Sequence, residues 1–103
     1  MVYKVSTSHR AQNDMLEIGK YIATQLHAPE SASKLLDDME NEIADLNTMP
    51  KRFALVSDER LAQMGIRSVP VKNYSIFYTV DEQEESVIII SVMYSKRNWA
   101  NLL

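Results

Sequence analysis

The sequence predicts an α+β fold in the order β-α-α-β-β-β, an antiparallel sheet packed against an N-terminal helical hairpin. Three observations predict it. Apolar residues recur at helical spacing through the first half, a short break at His27 to Pro29 divides them into two helices, and β-branched and aromatic runs replace them after Gly65. A length of 103 residues suits one domain spanning the whole chain, 1–103, with a single two-layered core.

Val2 to Ser6 reads as a short strand in which Val2 and Lys4 alternate with Tyr3 and Val5, and Thr7 or Ser8 can cap the helix that follows. In that helix Ala11, Met15, Ile18, Ile22 and Leu26 keep to one face of a 3.6-residue period. His27-Ala28-Pro29 breaks it. Pro29 suits the first turn of a second helix and Glu30 favours its positive end. There Ala32, Leu36, Met39, Ile43 and Leu46 form a second stripe, which runs until Pro50 stops it. So short a break makes an antiparallel hairpin with a shared apolar face. Asp37, Asp38 and Asp45 fall on its outer side and read as solvated surface.

Lys51 to Gly65 has weak periodicity and reads as a loop over the core, with a turn of helix around Asp58 to Gln63. Beyond it Ile66 to Val71, Tyr74 to Val80 and Val87 to Met93 are strand-like, separated by Lys72-Asn73 and by the acidic turn Asp81 to Glu85. They predict an antiparallel meander. Pro70 cannot donate to a ladder, which puts its strand at an edge or a bulge. The unbroken apolar run Val87 to Ile90 predicts a central last strand.

Composition excludes several classes. With no cysteine there is no disulfide framework or thiolate metal site, and with 46 % apolar residues the core alone must stabilise the fold. The first residues lack the apolar stretch of an export signal, and no run approaches the ~20 apolar residues that span a bilayer. A cytoplasmic protein with no membrane association is expected. The net charge of −3 argues against nonspecific nucleic-acid binding. Four basic residues face eight acidic ones in 1–50, and seven face six in 51–103, so any anion-facing site belongs to the second half. His9 and His27 read as solvent-facing helix-terminal residues, no third ligand clusters with them, and the acids show no metal-binding spacing. Neither a metal nor a cofactor is expected.

V-Y-K-V-S leading into Ser8-x-x-Ala11, the segment Leu16 to Ile22, Leu46 with Pro50, G-I-R-S-V-P-V-K-N-Y-S-I-F-Y-T-V over 65–80 and the terminal V-I-I-I-S-V-M-Y-S-K-R-N-W-A-N-L-L together resemble the toxins of the RelE/ParE superfamily. These belong to bacterial type II toxin-antitoxin systems, and the likeness covers nearly the whole chain. It implies a growth-inhibiting toxin of a plasmid-stabilisation type, neutralised by a cognate antitoxin encoded beside it. Two activities occur in the superfamily: RelE-like members cut mRNA on the ribosome, and ParE-like members poison DNA gyrase. RelE-like nucleases that resemble this chain keep an arginine two residues after the position of Asn73, where this chain has Ser75. Many end in a histidine or tyrosine, whereas this tail ends Trp99 to Leu103, leaving only Tyr94 for that role. No catalytic residue is therefore assigned, and the chain is placed closer to the ParE-like branch as an inhibitor of DNA gyrase rather than an enzyme. The alternative is a ribosome-dependent mRNA endoribonuclease using Arg67, Tyr94, Lys96 and Arg97. A relic that only binds antitoxin is a third.

The candidates for target contact are Arg67, Tyr94, Lys96, Arg97 and Trp99. Arg67 has a bland reading, its stem covering the sheet and its head paired with an acid of the second helix. Tyr74 and Tyr78 share a strand face and read as core with hydroxyls at the rim. Lys51 and Arg52 read as caps of the second helix. Lys96 and Arg97 follow the last strand, where the sheet holds a residue yet leaves it free to meet a partner. Trp99 reads either as a contact or as cover for the open end of the core, the latter favoured because large aromatics dominate burial in small domains. Between hairpin and sheet an apolar groove is expected to take the antitoxin, whose backbone can extend an edge strand.

Overall fold

The computed structural model describes residues 1–103. Strand β1 (Lys4–Thr7) leads into helices α1 (His9–Thr24) and α2 (Pro29–Ala44). Two 3-10 turns (Asp45–Asn47 and Pro50–Arg52), the short helix α3 (Glu59–Gln63), strands β2 (Arg67–Val71), β3 (Tyr74–Asp81) and β4 (Ser86–Tyr94), and a last 3-10 turn (Trp99–Asn101) complete the order. No helix is long and apolar enough to cross a membrane.

The expected α+β architecture is present, and the sheet runs β1-β4-β3-β2. β2, β3 and β4 form the antiparallel meander, with β4 central and the Pro70-bearing β2 at an edge. The fully antiparallel sheet is corrected in one respect. β1 pairs parallel with β4, from Lys4 opposite Ser86 to Thr7 opposite Ile89, which makes the sheet mixed and β1 its other edge. A local alternation pattern fixes which face a strand buries, not which neighbour it takes.

β1 stops midway along β4, and α1 completes that edge with side chains. Ser8 caps α1 by accepting from the amide of Ala11 at 3.1 Å, and its hydroxyl donates to the carbonyl of Ile90 at 2.9 Å. One turn on, a carboxylate oxygen of Asp14 accepts from the Ser91 hydroxyl at 2.6 Å and the Val92 amide at 3.0 Å. The edge needs this help because β1 ends at Thr7, opposite Ile89, while on the other side the register shift at Phe77/Tyr78 leaves Ile90 out as a bulge. Ser91 is fully buried, so its hydroxyl must be satisfied inside the protein. Asp14→Ala should therefore lower stability by about 2 kcal/mol, a charge-assisted pair of bonds being lost and buried donors left unpaired. Chemical denaturation checks this, and a loss below the range of ordinary surface substitutions would contradict it.

The hairpin departs from its pattern at both helix ends. α1 stops at Thr24, and Leu26 lies beyond it and exposed, because His27 takes a left-handed φ of 51° and redirects the chain. α2 stops at Ala44 rather than at Pro50. Leu46 is fully buried as expected, but from a 3-10 turn, and Met49 at φ 46° sets the corner before Pro50. Within α2, Leu35 is buried and Leu36 only partly so. Leu36 instead lies over Gly19 of α1, where an added Cβ would come within 2.8 Å of its Cδ1. A glycine at that crossing lets the two helices approach closely.

Two apolar clusters result, one on each sheet face. Met39, Leu46, Ile76, Tyr78, Val87 and Ile89 belong to the core between hairpin and sheet. On the far face Val56, Leu61, Ile66, Phe77 and Met93 form a smaller one, against which Trp99 and Leu103 of the tail pack. The segment read as a loop over the core supplies its lid through α3, which Asp58 caps by accepting from Leu61.

Candidate functional site

The β3–β4 register sorts the charges to opposite ends of the sheet. Asp81 pairs with Ser86 beside the acidic turn, and Tyr74 pairs with Tyr94 at the other end, from which Lys96 and Arg97 continue. The Lys72-Asn73 turn lies there too, because Val71 pairs with Tyr74. Eight residues of β3 separate the ends, a distance of about 26 Å at ~3.3 Å per residue.

The arginines divide sharply. Arg10 donates to the carbonyl of Leu102 (2.7 Å), Arg52 to that of Thr48 (2.8 Å), Arg60 to that of Ala100 (2.9 Å) and Arg67 to that of Phe53 (2.7 Å). Arg67 thus has the structural placement expected of its bland reading, with one correction. Its head meets backbone carbonyls of the segment before α3, not an acid of α2. Arg52 does hold the carbonyls that end the hairpin, whereas Lys51 pairs with Glu82 at 2.6 Å. Lys96 and Arg97 are exposed, and the ion pairs in the structure, Lys34 with Asp38 and Lys51 with Glu82, involve neither.

Trp99 covers core. Its ring is 5.2 Å from that of Phe77 at an interplanar angle of 40°, and Arg10 and Arg60 clamp the turn that carries it through backbone carbonyls. Tyr94 is 44 % exposed and meets Tyr74 edge to face at 5.9 Å. The structure therefore brings Tyr94, Lys96 and Arg97 to one end, sets Trp99 on the far face, and places Arg67 on edge strand β2. His9 and His27 lie exposed at the start of α1 and beyond its end.

Tyr78 corrects another expectation. Its hydroxyl is not at the rim but fully buried, donating to the carbonyl of Pro50 at 2.7 Å. Burial raises its pKa above 10, against an opposing pull from Arg67 and Arg52; burial also raises that of Tyr74, with Tyr21 and Tyr94 adding to it. A phenol that holds its proton more tightly when folded contributes stability that is complete below the unfolded value near 10. That contribution is lost as pH rises through the higher folded value. Stability should fall above about pH 10, and Tyr78→Phe should flatten that fall while costing about 1 kcal/mol near neutrality. Denaturation curves from pH 7 to 11 test it; equal alkaline slopes would contradict it.

A second feature is apolar. Between β1, α1 and α2 opens a groove of 560 Å³ lined by Val5, Met15, Leu16, Leu36 and Ile43, with Glu40 at its side. Leu16 is 66 % exposed. Beside the groove runs edge strand β1, and Gln12 donates to the Thr7 carbonyl at 3.1 Å.

The family described as ParE toxin of type II toxin-antitoxin system, parDE, matches residues 5–99. Among solved structures, the fold is similar to a chain of the chromosomal ParDE system from P. aeruginosa (TM-score 0.75, 18 % identity, covering 92 % of this chain and 98 % of that one). It is similar as well to a mutant of the E. coli toxin RelE in the free state (TM-score 0.70, 14 % identity, 99 % and 93 %). A chain of the toxin-antitoxin complex RelBE2 from Mycobacterium tuberculosis gives a TM-score of 0.63 at 20 % identity, covering 91 % and 99 %. No curated protein matches the chain by sequence. At these identities the structural likenesses speak for the fold.

Proposed function

Because the chain belongs to the ParE toxin family of type II toxin-antitoxin systems, we propose that it arrests growth by binding and poisoning DNA gyrase in the cytoplasm, and that a cognate antitoxin holds it inactive. One observation carries the choice of target. RNA cleavage through the 2′-hydroxyl needs a cation poised on the phosphate and groups to move protons. The strand-borne candidate for the cation, Arg67, is committed to the Phe53 carbonyl. Ser75, at the position where related nucleases carry arginine, shares a 2.9 Å hydrogen bond with Ser95. Lys96 and Arg97, exposed and in neither ion pair, stand beyond the last strand, a placement suited to gripping a partner rather than to acid–base chemistry.

The antitoxin's seat is the groove beside β1. Its walls are apolar, Leu16 stands exposed at it, and the open edge of β1 can pair with a partner's backbone. Glu40 favours a partner segment with a basic residue beside its apolar anchors.

Expression of the chain without antitoxin should stop growth and induce the DNA-damage response, and co-expression of the abutting reading frame should relieve both. Growth arrest without that response, accompanied by cuts within codons of ribosome-bound mRNA, would replace gyrase with the ribosome as target.

A further inference from the structure

We propose that the end of the sheet opposite the acidic turn is a docking surface for an acidic segment of a partner protein, formed by Tyr21, Lys72, Tyr74, Tyr94, Lys96 and Arg97. The proposal rests on the reading of the chain as a target-binding toxin, and it names the surface and the chemistry of what the surface takes. Two stretches far apart in sequence meet there. The amide of Ser95 donates to the carbonyl of Asn73 at 2.8 Å, and the Ser75 and Ser95 hydroxyls share a bond of 2.9 Å. Those bonds hold the Lys72 turn against the chain leaving β4, with the Tyr74–Tyr94 pair between them. Tyr21, 52 % exposed on α1, directly precedes Ile22, which lines a hollow together with Tyr74. That hollow, of 330 Å³, is lined by Ile22, Leu26, Leu35, Lys72 and Tyr74 among others, and a partner can seat an apolar side chain there. The exposed Leu26 contributes to it.

Lys72 stands in a costly position. It begins a two-residue connection and has a left-handed φ of 53°, a conformation that glycine or asparagine adopts at little cost and lysine does not. His27, Met49 and Glu85 share a left-handed φ at turns, and what sets Lys72 apart is its place beside the Tyr74–Tyr94 pair. Its charge is unpaired, as are those of Lys96 and Arg97, and the acids of the β3–β4 turn lie at the far end of the strands. An acidic partner is thereby oriented as well as attracted, and exposed charges of this kind act mainly on association rate.

Chemistry favours a protein over a nucleic acid. Three free cations on a chain of net charge −3 release few counterions from a polyanion and repel it at longer range. The edge-to-face tyrosine pair turns a ring edge, not a second open face, toward its neighbour, and tyrosine and arginine are the anchors that protein interfaces favour.

The test uses the full chain as wild type, Lys72→Gly and Lys72→Glu, comparing growth arrest, melting, and binding to purified antitoxin, purified gyrase and oligo(dT). Lys72→Glu should bind gyrase at least about tenfold more weakly at ~0.1 M salt and lose toxicity. Lys72→Gly should also bind more weakly while melting no lower than wild type, because it relieves the turn. Antitoxin affinity should hold for both, since the groove lies beside β1. If either variant arrests growth and binds as the wild type does, the surface is wrong. Tighter wild-type binding to oligo(dT) than to gyrase, lost in Lys72→Glu, would overturn the protein partner in favour of a nucleic acid. Should Lys72→Glu lose toxicity although the wild type never bound gyrase, the surface stands and the gyrase reading falls.

Discussion

Lys96→Ala combined with Arg97→Ala is expected to abolish growth arrest while leaving thermal stability and antitoxin binding nearly as they were. Both side chains are exposed and neither takes part in an ion pair, so truncating them should change stability by less than about 0.5 kcal/mol. Their position is nevertheless well defined. They leave the central strand through a turn in which the Arg97 amide donates to the Tyr94 carbonyl at 2.9 Å. Arg97 is also the arginine whose guanidinium is not committed to a backbone carbonyl, unlike Arg10, Arg52, Arg60 and Arg67. The measurement is a growth assay run beside thermal melts of each variant with antitoxin bound. A double variant that stays fully toxic would reduce the tail to the end of a fold.

Trp99→Ala is expected to show the opposite signature, a loss of about 3 kcal/mol and on the order of 15 °C in melting temperature, with toxicity falling because the tail is no longer held. The value lies at the low end for a large aromatic because the ring is partly, not fully, buried. What it covers is Phe77, which is almost wholly buried in the smaller cluster. The clamps from Arg10 and Arg60 bind backbone carbonyls, so they survive the substitution but lose the packed ring between them. Thermal melts decide it, and a variant within 2 °C of wild type, roughly the effect of an ordinary surface change, would contradict the covering role.

Much of this was legible in the sequence wherever a short-range pattern carried it. The two helices, the Pro70 edge, the central β4 and the α3 turn appear as local spacing and turn chemistry predict, because each depends on a face or a break within one segment, whereas the stripes slip at Leu26 and Leu36. Features that depend on two distant segments were not. The parallel pairing of β1, Asp14 completing the ladder of β4, and Leu36 lying over Gly19 join residues whose partners no periodicity names. Asp14 does have a signal in hindsight, an acid one turn beyond the Ser8 cap and on the flank of an apolar stripe. In the candidate site, Lys96 and Arg97 were readable as charges following a strong strand. Tyr21 and Lys72 were not, since it takes the β2–β3–β4 pairing and the packing of α1 beside that end of the sheet to bring their segments to Tyr74. For Arg67 an acid was the expected partner of the bland reading, whereas the carbonyls it meets lie on an irregular segment that sequence does not place.

The proposed poisoning of gyrase under antitoxin control is open to a supercoiling assay with purified gyrase, relaxed plasmid and the purified chain. Wild type should block supercoiling and accumulate cleaved plasmid, equimolar antitoxin should restore activity, and the Lys96→Ala, Arg97→Ala double variant should have no effect. Undiminished supercoiling at a stoichiometric excess of folded wild-type chain would contradict it.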